Sequence, residues 1–314
     1  MRFKGEIVFS AGRPGALDLW ILNLDSSLLQ RLTTGPFDCY SPKWSPDGTK
    51  IAYVSTESGS PEIQLINADG SNSVQLTDSG KFHASPDWSP DGSWVYYTSN
   101  DSGSMGLWRI SVASGDKELL FDGDYAPVEI TVHPSGDTIV YSADRNGKLI
   151  ISSFNLTSRD HSVLIDNSFD NYAPAFSPDG VLIAFLSTRE PEDQTKESGS
   201  CHIWIMKDDG TQQCCLTSDS GQDRYVAWSP DGTALVYCTS SPGTTRERLR
   251  VLDLLQSDAT TLKFSRTALF QDLEQESDMR SGLLDSLGLG REGLKRMLYD
   301  DSYFGTERDP HWKL

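Results

Sequence analysis

The chain has 314 residues, a formal net charge of −18 and five cysteines. So acidic a surface excludes nucleic acid as a partner, since that needs a basic footprint, and disfavours anionic membranes. No apolar run reaches the roughly 18 residues of a membrane-spanning helix, and the opening MRFKGEIVFS has no apolar leader.

The odd cysteine count, with no CxxC spacing, argues against a disulfide framework and for a reducing, cytoplasmic setting. Residues 1–35 read as three strands, EIVFSA, DLWILNL and QRLT. A complete unit follows at Tyr40–Thr77. Its strands are Ser41–Trp44, Lys50–Ser55, Glu62–Ile66 and Ser73–Leu76, and Ser45-Pro46-Asp47-Gly48 and Ala68-Asp69-Gly70 are tight turns. Proline presets the first turn angle and Asp-Gly supplies the bend. A third copy spans Ala84–Phe121. In the fourth, the first strand Ala126–Val132 has about three extra residues between Pro127 and Pro134 relative to Pro42 and Pro46, which predicts a bulge or a longer inner strand. The fifth copy, Tyr172–Thr217, carries Glu190–Ser200 as a lengthened loop. The sixth starts near Tyr225 and places its fourth strand at Thr261–Phe264.

Counting tests the repeat. The second-strand aromatics Phe9, Tyr53, Tyr97, Tyr141 and Phe185 recur every 44 residues, and Tyr237 follows after 52, the excess matching the Glu190–Ser200 insertion. SPDG begins at Ser45, Ser89, Ser177 and Ser229, with the variant HPSG at His133. Six four-strand copies at this period predict an all-β, six-bladed β-propeller forming a single domain over residues 1–314. The first copy lacks its innermost strand, and Asp309-Pro310-His311-Trp312 matches Ser41-Pro42-Lys43-Trp44. The C-terminal strand is therefore expected to complete blade one and close the ring. Between about 265 and 306 the composition changes, and Leu269, Leu273, Leu294, Met297 and Leu298 suggest one or two short amphipathic helices inserted before the closing strand.

The repeat, W-S-P-D-G, an apolar strand, D-G and then L-T, resembles the TolB-type propeller repeat, also called WD40-like or PD40. The resemblance covers residues 6–265 and 309–314. It implies the six-bladed fold but not one function, because the scaffold serves binding modules, peptidase-associated domains and sugar-active enzymes. The same repeat is similar to that of oligogalacturonate-lyase-type enzymes, which implies a histidine-rich manganese site as an alternative.

Strand order places the SPDG and DG turns on one face of the ring, and the blade-to-blade crossovers on the other. The residues just before each first strand are expected to ring the channel mouth on the crossover face, beside the helical insertion. They are Asp38, Tyr40, His83, Asp124, Tyr125, Asp170, Tyr172, Asp223, Arg224 and Arg308, with Glu129 and His311 slightly deeper. Aspartates at such positions also cap turns. The reading is a non-catalytic module for a protein, peptide or small polar ligand, with no cofactor. The alternative is a metal-assisted uronate lyase in which His83, His202 and His311 supply imidazoles. Nucleophilic catalysis lacks a GxSxG motif, and a Cys39–His83 pair is its one candidate. The tryptophans Trp44, Trp88, Trp228 and Trp312 share one phase, and so do Trp20, Trp108 and Trp204, which marks packing between blades; Trp94 is the exception.

Overall fold

A computed structural model describes residues 4–191, 197–218, 221–240, 247–254, 270–272 and 306–313. The SPDG turns show why the strands begin and end where they do. Ser45 Oγ donates to Asp47 Oδ1 (2.6 Å), which also accepts the Thr49 N–H (3.0 Å), while Ser45 Oγ accepts the Lys50 N–H (2.9 Å). Gly48, at φ +67°, turns the chain in a conformation that costs a side chain energy. The same bonds recur around Asp91, Asp179 and Asp231. In the HPSG variant, His133 Nδ1 accepts the Ser135 N–H in their place (3.0 Å).

Blade one contains β1 (Glu6–Arg13), β2 (Ala16–Asn23) and β3 (Leu28–Arg31); blade two β4 (Cys39–Trp44), β5 (Lys50–Ser55), β6 (Glu62–Asn67) and β7 (Val74–Gln75). Blade three is β8 (His83–Trp88), β9 (Trp94–Ser99), β10 (Gly106–Ser111) and β11 (Lys117–Asp122); blade four is β12 (Pro127–Val132), β13 (Thr138–Arg145), β14 (Lys148–Asn155) and β15 (His161–Ile165). Blade five is β16 (Asn171–Phe176), β17 (Leu182–Arg189), β18 (Glu197–Lys207) and β19 (Cys214–Cys215); blade six is β20 (Gln222–Trp228), β21 (Ala234–Ser240), β22 (Glu247–Asp253) and β23 (Phe270–Asp272). The closing strand β24 (Thr306–Lys313) pairs antiparallel with β1, Glu6 opposite Lys313, so blade one is ordered β24-β1-β2-β3. Every blade is therefore a four-stranded antiparallel sheet, and the expected closure is present.

The core is distributed. Six buried clusters each join two neighbouring blades, including one that packs Ile7, Phe9 and Trp20 of blade one against Val236, Cys238 and Val251 of blade six. The periodic second-strand aromatics all lie in these seams and are at most 6% exposed. Trp88 and Trp228 are buried too, and their indole N–H groups donate to Lys43 O and Ala175 O of the preceding blades (both 3.0 Å). Trp94 is half-buried, with the Arg109 guanidinium 4.4 Å above its ring.

Two local expectations need correction, and a third holds in part. Strand β12 has the same six-residue length as β4, so blade four carries no extra residues. The expected bulge is present, as a register shift between Pro127 and Glu129, nearer the strand's start than the shift between Tyr40 and Lys43 in β4. In blade five, Glu190–Ser200 is not all loop: Arg189 pairs with Glu197, so part of the insertion lengthens the β17–β18 hairpin. In blade six the strand beside β22 is β23, with Leu252 opposite Phe270, and not Thr261–Phe264. Leu262 stands 46 residues after Leu216, near the 44-residue period, but a connection lengthened by a few residues loses little closure entropy, so spacing alone does not fix the pairing. Residues 270–272 are thus strand and not helix. The rest of the expected insertion, and the segment 261–264, lie outside the described residues. The described residues include no helix long and apolar enough to cross a membrane.

Candidate functional site

The innermost strands β24, β4, β8, β12, β16 and β20 surround the channel. Four of them share a distortion: Ser41, Ser85, Ala173 and Tyr225 have φ of 51–54°, each within a register shift. The N–H groups that strand one of a blade cannot pair within its own sheet are taken by side chains of the blade before. Ser85 Oγ accepts from Ile130, Asp87 Oδ2 from Val132, Glu129 Oε2 from Ala173 (2.7 Å), and His311 Nδ1 from Trp44 (3.0 Å).

Most residues expected at the crossover mouth are engaged in holding blades. Asp38 Oδ1 accepts the Leu17 N–H and Asp170 Oδ1 the Leu149 N–H, both at 2.9 Å, the same bond three blades apart. His83 is fully buried. Its Nδ1 lies 3.2 Å from Pro61 O and 3.1 Å from Glu62 Oε2, and its Nε2 lies 3.3 Å from Asp101 Oδ2. Asp223 is buried and accepts the Thr217 hydroxyl. The Tyr172 hydroxyl donates to Cys201 Sγ (3.2 Å), and burial raises its pKa beyond the ordinary tyrosine range. Tyr125 stacks on His161 of β15, ring centroids 3.8 Å apart, which turns it toward the outermost strand of blade four. Tyr40 is half-buried against the seam of blades two and three, while Asp124 and Arg224 are exposed. Arg308 sits on β24 opposite Ser10, and its side chain is outside the described residues. Cys39 meets Ser55 and not His83, and burial pushes its thiol up to about 11.

Among the described residues, a cavity opens at the other end of the channel, among the SPDG turns. It measures about 440 Å³. One position of every blade is in its lining, the residue just before the strand-one tryptophan or its equivalent: His311, Lys43, Asp87, Thr131, Ala175 and Ala227. Of the residues expected from sequence, His311 alone is in this ring. Burial inside the channel raises the Asp87 carboxyl above its usual range, offset in part by the Lys43 charge and the N–H groups of Val132 and Trp88. Burial also holds His311 well below the ordinary imidazole value, with Lys43 adding to it, so His311 is neutral and accepts at Nδ1. His83, His202 and His311 stand in blades three, five and one and do not converge. Among the described residues no three His, Cys, Asp or Glu side chains are grouped as metal ligands, so these imidazoles do not fit a shared manganese site.

A family model described as the TolB beta propeller domain, PD40, matches residues 7–196. The chain belongs to the TolB β-propeller family. The fold of this TolB-type propeller resembles that of TolB from Acinetobacter baumannii, with a TM-score of 0.70 at 20% identity over 98% of this chain and 66% of that one. The chain thus spans just under two thirds of that TolB's length. A TolB structure from Agrobacterium tumefaciens gives a TM-score of 0.64 at 19% identity, covering 80% of this chain and 86% of the other. An oligogalacturonate lyase in complex with manganese gives 0.55 at 18% identity, covering 84% and 73%. At these identities each likeness is one of fold. No curated protein sequence matches the chain.

Proposed function

We propose that this TolB-type propeller is a non-catalytic binding module that receives a peptide, or a loop of a partner protein, in the cavity on its turn face. The observation that carries the reading is the division of labour between the two ends of the channel. At the crossover end, Asp38, His83, Glu129, Asp170 and Asp223 are spent on backbone or neighbouring side chains. At the turn end a concave, partly apolar well is lined by Lys43, Asp87 and His311 from three adjacent blades. The insertion near 266–306 has no part in this reading.

The test is an array of random peptides probed with the intact protein and with Ala175→Phe, which fills the well from blade five. We expect a set of peptides that the wild type retains and the filled variant releases, at equal thermal midpoints. Equal retention by both would overturn the reading. So would release of unsaturated product from oligogalacturonate that disappears in His311→Ala.

A further inference from the structure

We propose that the base of the turn-face cavity recognises a carboxylate, carried by a peptide whose neighbouring residues are basic. The inference rests on the binding reading above and names the chemistry of its ligand. It starts from an imbalance of donors over acceptors. Lys43 brings an ammonium with three N–H donors, and among the described residues none of them has a hydrogen-bond partner. His311 spends Nδ1 on the Trp44 N–H, so the neutral ring keeps its proton on Nε2. The acceptor on the other side of Lys43, Asp87, already takes the N–H groups of Val132 and Trp88, each at 2.9 Å. Thr131 Oγ1 takes the Phe176 N–H (3.3 Å). An incoming group that accepts at two oxygens and carries negative charge meets the unused donors, and charge-assisted bonds of this kind are the strong ones.

The sign of charge reverses outside the base. A second cavity of about 390 Å³ adjoins the first, sharing Ser45, Pro46 and Asp47, and runs between the turns of blades two and three to Pro90 and Asp91. Hydroxyl and N–H donors of the turn hold Asp91 down at about 2, and Asp47 is lowered by the same contacts; against them stands one cation of the lining, Lys50, whose ammonium donates to Asn67, so the groove is net anionic at neutral pH. In a chain of net charge −18, a free small anion is repelled from the mouth. A segment with basic residues beside its carboxylate is drawn in, its cations along Asp47 and Asp91 and its carboxylate at Lys43 and His311.

Calorimetry with three short peptides tests this. All contain two arginines, a proline and a glycine. The first ends in glutamate amide, the second in glutamine with a free C-terminal carboxylate, and the third in glutamine amide. We expect the first, the second or both to bind roughly tenfold or more tightly than the third, and the preferred one tells whether the carboxylate comes from a side chain or a chain end. Lys43→Met should abolish that preference. Asp91→Asn, which removes a carboxylate from the groove, should weaken all three. Equal binding of the three peptides, a preference that survives Lys43→Met, or binding of none would each overturn the proposal. Equal binding that Ala175→Phe still blocks would leave the binding-module reading standing.

Discussion

Single aspartates carry two different tasks in this propeller. In the turns, Asp47, Asp91 and Asp231 have carboxyls held below their usual range, mainly by serine and threonine donors, although partial burial opposes this at Asp231. A carboxylate whose folded value is depressed contributes stability above its unfolded value near 4, and loses it as pH falls through the folded value. The thermal midpoint is therefore expected to fall between about pH 4 and pH 2, and Asp91→Ala, lowering stability by about 1 kcal/mol at pH 7, should flatten that limb. Buried His83 has the opposite role, standing between Glu62 and Asp101 where blades two and three meet. His83→Ala strands the Glu62 carboxylate, 1% exposed, without its neighbour, and should cost about 3 kcal/mol in urea unfolding. A mouth residue that served only a ligand would leave the unfolding midpoint unchanged.

The innermost strand is the element on which fold and site meet, and it was only partly legible. Its strands could be placed because Pro-Asp-Gly turns and aromatic phase recur every 44 residues. Its lining could not be picked out by residue type, since the six positions hold Lys, Asp, Thr, Ala, Ala and His. The available signal was position. Trp44, Trp88 and Trp228 face the seams, so the residue before each points the other way, into the channel. The polar residues at the strand entrances attracted the sequence reading instead, although Asp38 and Asp170 share a phase, which already suggests scaffolding. The bulge in this strand holds non-glycine residues at positive φ, which costs roughly 1–2 kcal/mol per residue. Ala173→Gly should relieve part of that and raise stability by about 0.5 kcal/mol after the entropy of glycine is subtracted. Ala173→Val, with a branched Cβ at φ 51°, should lower it by more. Thermal unfolding of the pair checks both signs.

At the scale of the whole molecule, the ring stands on six seams, and the seam between blades six and one depends on β24. Lys313 shows how that strand is held: its ammonium pairs with Glu6 (3.1 Å), donates to Gly48 O (3.0 Å) and lies 4.0 Å from the centre of the Trp44 ring. Removing residues 306–314 uncovers the edge of β1 and unfastens blade one from blade two. The truncated protein is expected to melt at least about 10 °C lower and to scatter light on standing, as free strand edges pair between molecules. Closure was readable in advance because Asp309-Pro310-His311-Trp312 repeats the strand-one pattern. The pairing of β23 was not, because the near-periodic Leu262 points to a different segment.

The pairing of Glu6 with Lys313 also governs the order of events in time. Hairpins within a blade join neighbours in sequence and can form within microseconds, whereas this pairing must bring together segments separated by almost the entire described chain. Its entropy of closure is recovered only when blades two to six have already stacked into an arc. The ring is thus expected to fold as an open, nearly complete crescent that snaps shut in a slow final step. Until it does, the well at the centre has no His311 and its wall stands open on one side.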